Sequence, residues 1–446
     1  MRLIDMRFAG AAVAVSALLV ALQPASAQMP SQQQAVPGTP SACIQAGNEY
    51  LQSAYDSARR ADPTKPPDIN ALRRAAVALD SACATRFDVA TIEPRRASDL
   101  AALYLAVGER RQADRAFARA FGPGGLRDTA RANAMIGAMA AYIQTGSPTD
   151  TAATRTRLEQ LAAGVDSISG AQLQRFLARA QLLSFFEDAD AEGDAMRVAR
   201  QMLALAPHLS SADAQRYAAV VVIPYVRLAA RYGDHLRADS ALAILRRATK
   251  EVPALASARP RDRARLDDAI ARYELVGKPA PPLHAYQWVN GPGSARNPGA
   301  TLLVFTAWWC SDCVASYPFL HALEHDLGPK GLHLVFAVNL EGRFRGVPME
   351  PAQEVDANAH YFQDERGFSC PIAFEPRDTN DPAAPSLAAD SSNARNYLVF
   401  GYPQFTLIDQ RGIVRAVIVG WVSSHARDKV IRPAVEQVLA SEKTAS

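Results

Sequence analysis

The chain has 446 residues, 49% of them apolar and 21% charged, with a formal net charge of +3. That length exceeds one ordinary domain, so two or three are expected, with enough apolar material for their cores. So small a positive excess, with no basic run interleaved with aromatics, argues against nucleic acid as a partner.

Residues 1–27 have the pattern of a signal peptide. Arg2 and Arg7 supply a positive start, Ala9 to Leu22 is almost unbroken in apolar and small residues, and Ala25-Ser26-Ala27 offers a cleavage site before Gln28. The apolar run is short of the ~20 residues that span a bilayer comfortably, so cleavage after Ala27 is expected in preference to a membrane anchor. No cysteine follows the run, which disfavours a lipid anchor. The expected mature protein is exported, soluble and periplasmic, and its cysteines meet an oxidising compartment. Residues 28–40, rich in Gln and Pro, read as a flexible linker.

Residues 41–272 are helical in pattern, with apolar positions recurring at three and four spacing between short turns. Within them Leu100, Tyr104, Gly108, Ala113, Phe117 and Ala120 fall at the spacings of a tetratricopeptide helix pair. Gly108 would end the first helix, Ala113 would let the second pack closely, and Tyr104 and Phe117 would fill the space between. A weaker echo runs through Tyr232, Gly233, Ala238, Leu242 and Ala248, and a third ends at Pro207. One good copy supports a degenerate helical-repeat array; a plain helical bundle is the alternative. Cys43 opens the first predicted helix and Cys83 closes the second, with the Pro-rich turn around Pro63 midway between them. An antiparallel hairpin folded there would bring the two sulfurs together as a structural disulfide worth about 2–4 kcal/mol. Two buried free thiols are the alternative.

After about Ile270 the texture changes. Val276-Gly277-Lys278-Pro279-Ala280-Pro281-Pro282 forbids helix. Then come a strand at Leu302–Thr306, a helix from Cys310 to about Leu327, a strand at Leu332–Asn339, a helix across Ala352–Phe368 and an apolar stretch at Ile372–Phe374. Phe405–Ile408 and Val414–Val419 flank the turn Asp409-Gln410-Arg411-Gly412 as a hairpin, and a last helix covers about Ser424–Ala440. Residues 276–446 are therefore expected to form one α/β domain.

Cys310-Ser311-Asp312-Cys313 joins the first of these strands to its helix. A helix N-terminus presents free amides and partial positive charge, which stabilise a thiolate at Cys310. Two intervening residues let Cys313 reach back and close a disulfide, so Cys310 is read as the attacking sulfur and Cys313 as the resolving one. Trp309 would lie beside the exposed sulfur as a partner-facing surface. Zinc sites also use this spacing, but no second cysteine or histidine pair stands at ligand distance in sequence, and His321 and His325 read as ordinary helix residues; no metal or cofactor is expected.

Ala307-Trp308-Trp309-Cys310-Ser311-Asp312-Cys313, with Pro318 beyond it, resembles the active-site region of the thioredoxin superfamily. Gly401-Tyr402-Pro403 with Phe405 to Asp409 and Gly412 is similar to that family's cis-proline segment. Val276 to Pro281 resembles the opening motif of its TlpA-like, envelope-facing thiol–disulfide reductases. The resemblance covers about 170 residues and implies a thioredoxin fold, a cis bond before Pro403 beside Cys310, protein thiols and disulfides as partners, and a membrane-embedded electron donor. The fold class expected is multidomain: an N-terminal all-α helical repeat or bundle, open to a protein partner, and a C-terminal α/β thioredoxin fold.

Departures accompany the resemblance. Val304 stands where thioredoxin buries an acid, and Ser316 where some TlpA-like proteins carry a glutamate, so the proton acceptor for Cys313 is open. Asp312 is the candidate, with a solvated helix-start carboxylate as its plainer reading; its charge should raise the Cys310 pKa and favour a reducing couple. Tyr402 is bulkier than the family's usual residue there and would narrow the range of partners. Ala307 replaces the threonine that peroxide reduction requires. Cys370 is read as a buried inert thiol, with a regulatory or intermolecular partner as the alternative. An exported disulfide reductase leads the readings; a non-catalytic thioredoxin-fold scaffold and a disulfide oxidase or isomerase are the others.

Overall fold

The computed structural model describes residues 38–61, 68–145, 151–189, 191–233, 236–294, 297–375, 392–399, 401–420 and 424–443. The expected signal peptide, residues 28–37 of the expected linker, most of the Pro-rich turn and the side chains of Tyr232 and Gly233 lie outside what is described. The chain divides into two compact units, one running to Leu209 and the other from Ser210. That division falls inside the region whose sequence pattern is helical throughout.

The first unit holds eight α-helices among its described residues: α1 (Pro40–Ala61), α2 (Ile69–Ala84), α3 (Ala97–Ala106), α4 (Arg110–Phe121), α5 (Asp128–Thr145), α6 (Thr151–Asp166), α7 (Gln172–Asp188) and α8 (Glu192–Leu205). Asp68 caps α2, its Oδ1 accepting from the Ala71 amide at 2.9 Å, which satisfies an orphan donor of the first turn. The start of α1 meets the end of α2: the Cys43 and Cys83 sulfurs are 1.93 Å apart, at bonding distance, with Cα atoms 6.1 Å apart. Gly108, at φ +83°, makes the turn from α3 to α4 that a side chain would strain. Leu100, Ala113, Phe117 and Ala120 are buried, and the Tyr104 hydroxyl donates to the Phe87 carbonyl at 3.0 Å.

The second unit opens with five helices, α9 (Ser211–Arg216), α10 (Ala218–Val221), α11 (Ile223–Gly233), α12 (Ala238–Glu251) and α13 (Pro260–Leu275), and continues into a sheet. Its strands are β1 (Gln287–Val289), β2 (Ala300–Phe305), β3 (Leu332–Asn339), β6 (Ile372–Glu375), β7 (Gln404–Ile408) and β8 (Val414–Val419); β4 (Arg343–Phe344) and β5 (Val347–Pro348) form a small separate hairpin. The order across the sheet is β1-β6-β3-β2-β7-β8. β2 runs parallel to β3, and β3 to β6, while β7 pairs antiparallel with β2 and β8, and β1 with β6.

Every residue of central β2 is buried, and its alternation decides the two faces. Leu302 and Val304 join the core shared with α14 (Ser311–Leu327), α15 (Pro351–His360) and α17 (Ser424–Lys443), which includes Leu320, Phe336, Val355 and Val435. Leu303 and Phe305 join Tyr397, of α16 and its following turn (α16, Ser392–Asn396), on the opposite face. The proline-rich segment after α13 runs along the β7–β8 turn, where Gly277 N–H donates to Val414 O at 2.8 Å and Ala280 N–H to Gly412 O at 2.7 Å. The strand positions and helix starts expected after residue 300 agree with these to within a few residues, but the helix expected to reach Phe368 is α-helical only to His360 and continues as a π-helical turn over Tyr361–Glu365. β1, the β4–β5 hairpin and α16 are additional, being too short for a hydrophobic period to register.

The hairpin turn itself is tied by Asp409, which is 3% exposed. Its Oδ1 accepts from the amides of Arg411 and Ile413, both at 2.9 Å, and its Oδ2 accepts from Arg415 Nε and Nη2 at 2.8 and 2.6 Å. Burial acts to raise the Asp409 pKa, but the Ile413 amide and the Arg415 guanidinium outweigh it and hold the carboxyl below its ordinary 3.8. A depressed folded pKa gives stability that is complete above the unfolded value and is lost as pH falls through the folded one. Asp409→Asn should therefore lower the unfolding free energy at neutral pH by roughly 3 kcal/mol and flatten the loss of stability below about pH 4. Urea unfolding followed by tryptophan emission checks this for the second unit alone, since all four tryptophans (288, 308, 309 and 421) belong to it; an unchanged acid limb would refute it.

Candidate functional site

β2 ends at Phe305 and delivers Thr306 to Trp309 to the start of α14. Cys310 is the N-cap of that helix, with extended backbone at φ −80° and ψ 106°. Its sulfur accepts the Cys313 amide at 3.0 Å, taking the position that a serine or aspartate oxygen usually holds. The two sulfurs are 2.16 Å apart and the Cα atoms 5.2 Å apart. Cys310 is 6% exposed and Cys313 is fully enclosed, so the pair presents one sulfur to its surroundings and hides the other.

The shell around the pair comes from four segments. Trp309 is 42% exposed, its indole N–H donates to Glu341 Oε1 at 3.3 Å, and its ring lies 5.9 Å from that of Tyr402. The Tyr402–Pro403 peptide bond is cis, and the Pro403 carbonyl accepts the Gly420 amide at 2.8 Å. Burial and the carboxylates of Glu341 and Glu375 drive the Tyr402 pKa well above the ordinary tyrosine value, so its hydroxyl stays protonated. On the inner side, Trp308 packs on Phe344 at 5.0 Å between ring centroids. Beneath, Thr306 Oγ1 and Tyr317 Oη share a buried hydrogen bond of 3.2 Å, and burial raises the Tyr317 pKa far above its usual value.

The structure thus brings Cys310, Cys313, Trp309 and the Tyr402–Pro403 segment into one neighbourhood. Asp312 is half-buried in the first turn of α14. Val304 lies buried in β2, and Ser316 donates its hydroxyl to the Cys313 carbonyl at 2.7 Å. Cys43 and Cys83 belong to the other unit. Cys370 is a buried free thiol whose pKa is raised by burial and by Glu324. His321 stacks on Phe368 at 4.1 Å and bonds the Arg366 carbonyl at 2.8 Å, while His325 bonds Asp326 at 3.0 Å. Among the described residues no three His, Cys, Asp or Glu side chains gather as a metal site.

Two carboxylates near the site escaped sequence reading. Glu341 follows β3, where nothing in the pattern sets it apart. Glu354 is 1% exposed on α15 beside Val355, and an acid on the apolar stripe of an amphipathic helix is a signal that could have found it.

No family model matches the chain, and no curated protein does. Solved structures similar to it include a protein from Chlorobium tepidum assigned as thiol:disulfide interchange protein DsbE, at 23% identity, covering 36% of this chain and 97% of that one, with a TM-score of 0.27. A thioredoxin-like superfamily protein matches at 18% identity over 36% of this chain and 96% of its own, with a TM-score of 0.29. A thiol-disulfide isomerase from Corynebacterium glutamicum matches at 20% identity over 36% and 96%, with a TM-score of 0.27.

Position and burial rank the three sulfurs of this unit: Cys310 caps the helix, Cys313 is enclosed, and burial raises the pKa of the Cys370 thiol. In the reduced protein Cys310 should react with iodoacetamide at neutral pH at least about tenfold faster than Cys313 or Cys370. Peptide mass spectrometry of a time course checks the order, and equal labelling of Cys313 would contradict it.

Proposed function

We propose that the chain is an exported thiol–disulfide oxidoreductase of the thioredoxin superfamily, TlpA-like in type, that reduces protein disulfides through Cys310 and Cys313. The observation that carries this reading is the placement of Cys310 as the sulfur cap of α14 over an enclosed Cys313. A helix N-terminus favours the thiolate over the thiol at that position. The Cys310 thiolate attacks one sulfur of a partner disulfide, forming a mixed disulfide and expelling the other partner sulfur as a thiolate. Deprotonated Cys313 then attacks Cys310 Sγ, releases the second partner thiolate and closes the Cys310–Cys313 bond. Two electrons pass to the partner, whose thiolates take up protons. A membrane-embedded donor would return the electrons.

In this reading Trp309 and Tyr402 form the partner-facing wall and the cis Pro403 segment lies alongside an incoming peptide. Asp312 is the group proposed to take the Cys313 proton. The signal peptide ends at Ala27 and places the protein in the periplasm. Residues 41–272 act as a tetratricopeptide-like domain, stapled by Cys43–Cys83, that docks a protein partner, and residues 276–446 are the thioredoxin-like domain.

Cys313→Ser removes the resolving thiol and should leave Cys310 joined to partner proteins as mixed disulfides, visible as dithiothreitol-sensitive bands on a non-reducing gel of a periplasmic extract. Cys310→Ser should form none and should lower insulin reduction by at least about a thousandfold. A Cys310→Ser protein that retained insulin reduction would sink the proposal.

A further inference from the structure

After β3 the chain turns at Glu341 and Gly342 into the β4–β5 hairpin. Both amides of that turn end on one carboxylate. Glu341 N–H donates to Glu354 Oε1 and Gly342 N–H to Glu354 Oε2, each at 2.7 Å. Glu354 is 1% exposed and belongs to α15, so this bond pair ties the turn to the helix from inside the protein. Burial acts to raise the Glu354 pKa, the amide bonds oppose it, and the nearby Glu341 charge adds to the rise. The dependence is mutual: buried amides require an acceptor, and a buried carboxylate is costly without donors.

The turn held in this way touches both residues that precede Cys310. Glu341 Oε1 accepts the Trp309 indole N–H at 3.3 Å, and the Phe344 ring packs on Trp308 at 5.0 Å. Met349 N–H donates to the Gly342 carbonyl at 3.0 Å and closes the hairpin on the same turn. A single buried side chain, on an element distant in sequence from the cysteines, thus anchors the turn that meets Trp308 and Trp309.

We propose that Glu354 is a positioning residue for exchange at Cys310: by fixing the backbone of Glu341 and Gly342 it sets the Glu341 carboxylate against Trp309, and so the pose in which Trp309 receives a partner disulfide. This rests on the exchange reading given above. Glu354 acts through Glu341 and has no step of its own in the electron transfer.

A double-mutant cycle on the full chain tests it, with Glu354→Gln, Glu341→Ala and the pair combined. Glutamine keeps one carbonyl oxygen but turns an NH2 group toward the second amide, so one of the two bonds is lost. Two readings are taken on each protein: the rate of insulin reduction with dithiothreitol as electron source, and acrylamide quenching of Trp309, obtained by difference from the Trp309→Phe protein. Each single change should slow reduction by roughly tenfold, the scale of a small misplacement of a positioning group. Each should also raise Trp309 quenching, and the combined protein should be no slower than the slower single, because both act through one contact. Losses that multiply, or quenching that stays at the wild-type level in either single, would overturn the proposal. Glu341→Ala leaves the buried carboxylate and both amide bonds in place, so an unaffected Glu341→Ala protein overturns the proposal even if Glu354→Gln fails to fold. Wild-type protein inert toward insulin would overturn the exchange reading, and this proposal with it; a reactive wild type with unaffected variants would overturn this proposal alone.

Discussion

The contact on which the rest depends is the hydrogen bond from the Cys313 amide to the Cys310 sulfur at the start of α14. It makes a cysteine perform the work of an N-cap, so the structural need of the helix and the chemical need of the thiol are met by one atom. The same contact places the sulfur in the partial positive field of the helix end, where an anion is favoured by roughly 0.3–1 kcal/mol, or more when partly buried. Everything else in the unit bears on where that helix end lies. β2 leads into it, and β2 is buried along its whole length with one face on each core. A central strand held from both sides gives the cysteine a fixed platform, which a site on a free loop would lack.

Around this platform the shell is assembled from segments far apart in the chain. The β7 approach carries the cis Tyr402–Pro403 bond, the turn after β3 carries Glu341, and the hairpin beyond it carries Phe344. Each meets one of the two tryptophans ahead of Cys310 or a neighbour of one. Val304 and Ser316, where the resemblance seen in the sequence would put a carboxyl, are apolar and neutral, and both are buried. The buried carboxyl found close by, Glu354, is committed to two backbone amides and serves the turn. Negative charge is thus present beside the site on Glu341, yet on the side where Trp309 is exposed and bonded to it.

Much of this was legible in the sequence because the relevant signals are local. Short, nearly continuous apolar runs marked β2, β3 and β8, a cysteine pair at two-residue spacing marked the start of α14, and Asp409 with Gly412 marked a hairpin turn. The pairing of Cys43 with Cys83 was an expectation of hairpin geometry, and their sulfurs lie at bonding distance. What escaped was non-local or too short to show a period. β1 has three residues and each strand of the β4–β5 hairpin has two. Glu341 looks like any surface acid until the fold turns it toward Trp309, and Glu354 gains its meaning only from amides twelve and thirteen residues earlier. The helices from Ser211 to Leu275 carried the same periodicity as those before them, so no change of texture marked their grouping with the sheet.

The proposed reductase requires a reducing couple, in which the charge of Asp312 opposes the Cys310 thiolate that the helix end favours. The direct measurement is the equilibrium reduction potential of the Cys310–Cys313 pair in the full chain, read from Trp309 emission in graded dithiothreitol and glutathione buffers. The account predicts a reversible two-electron transition toward thioredoxin's value, near about −270 mV. A potential well above about −180 mV would contradict it and point to disulfide formation or shuffling, and the absence of any reversible transition would leave the proposed redox role without support.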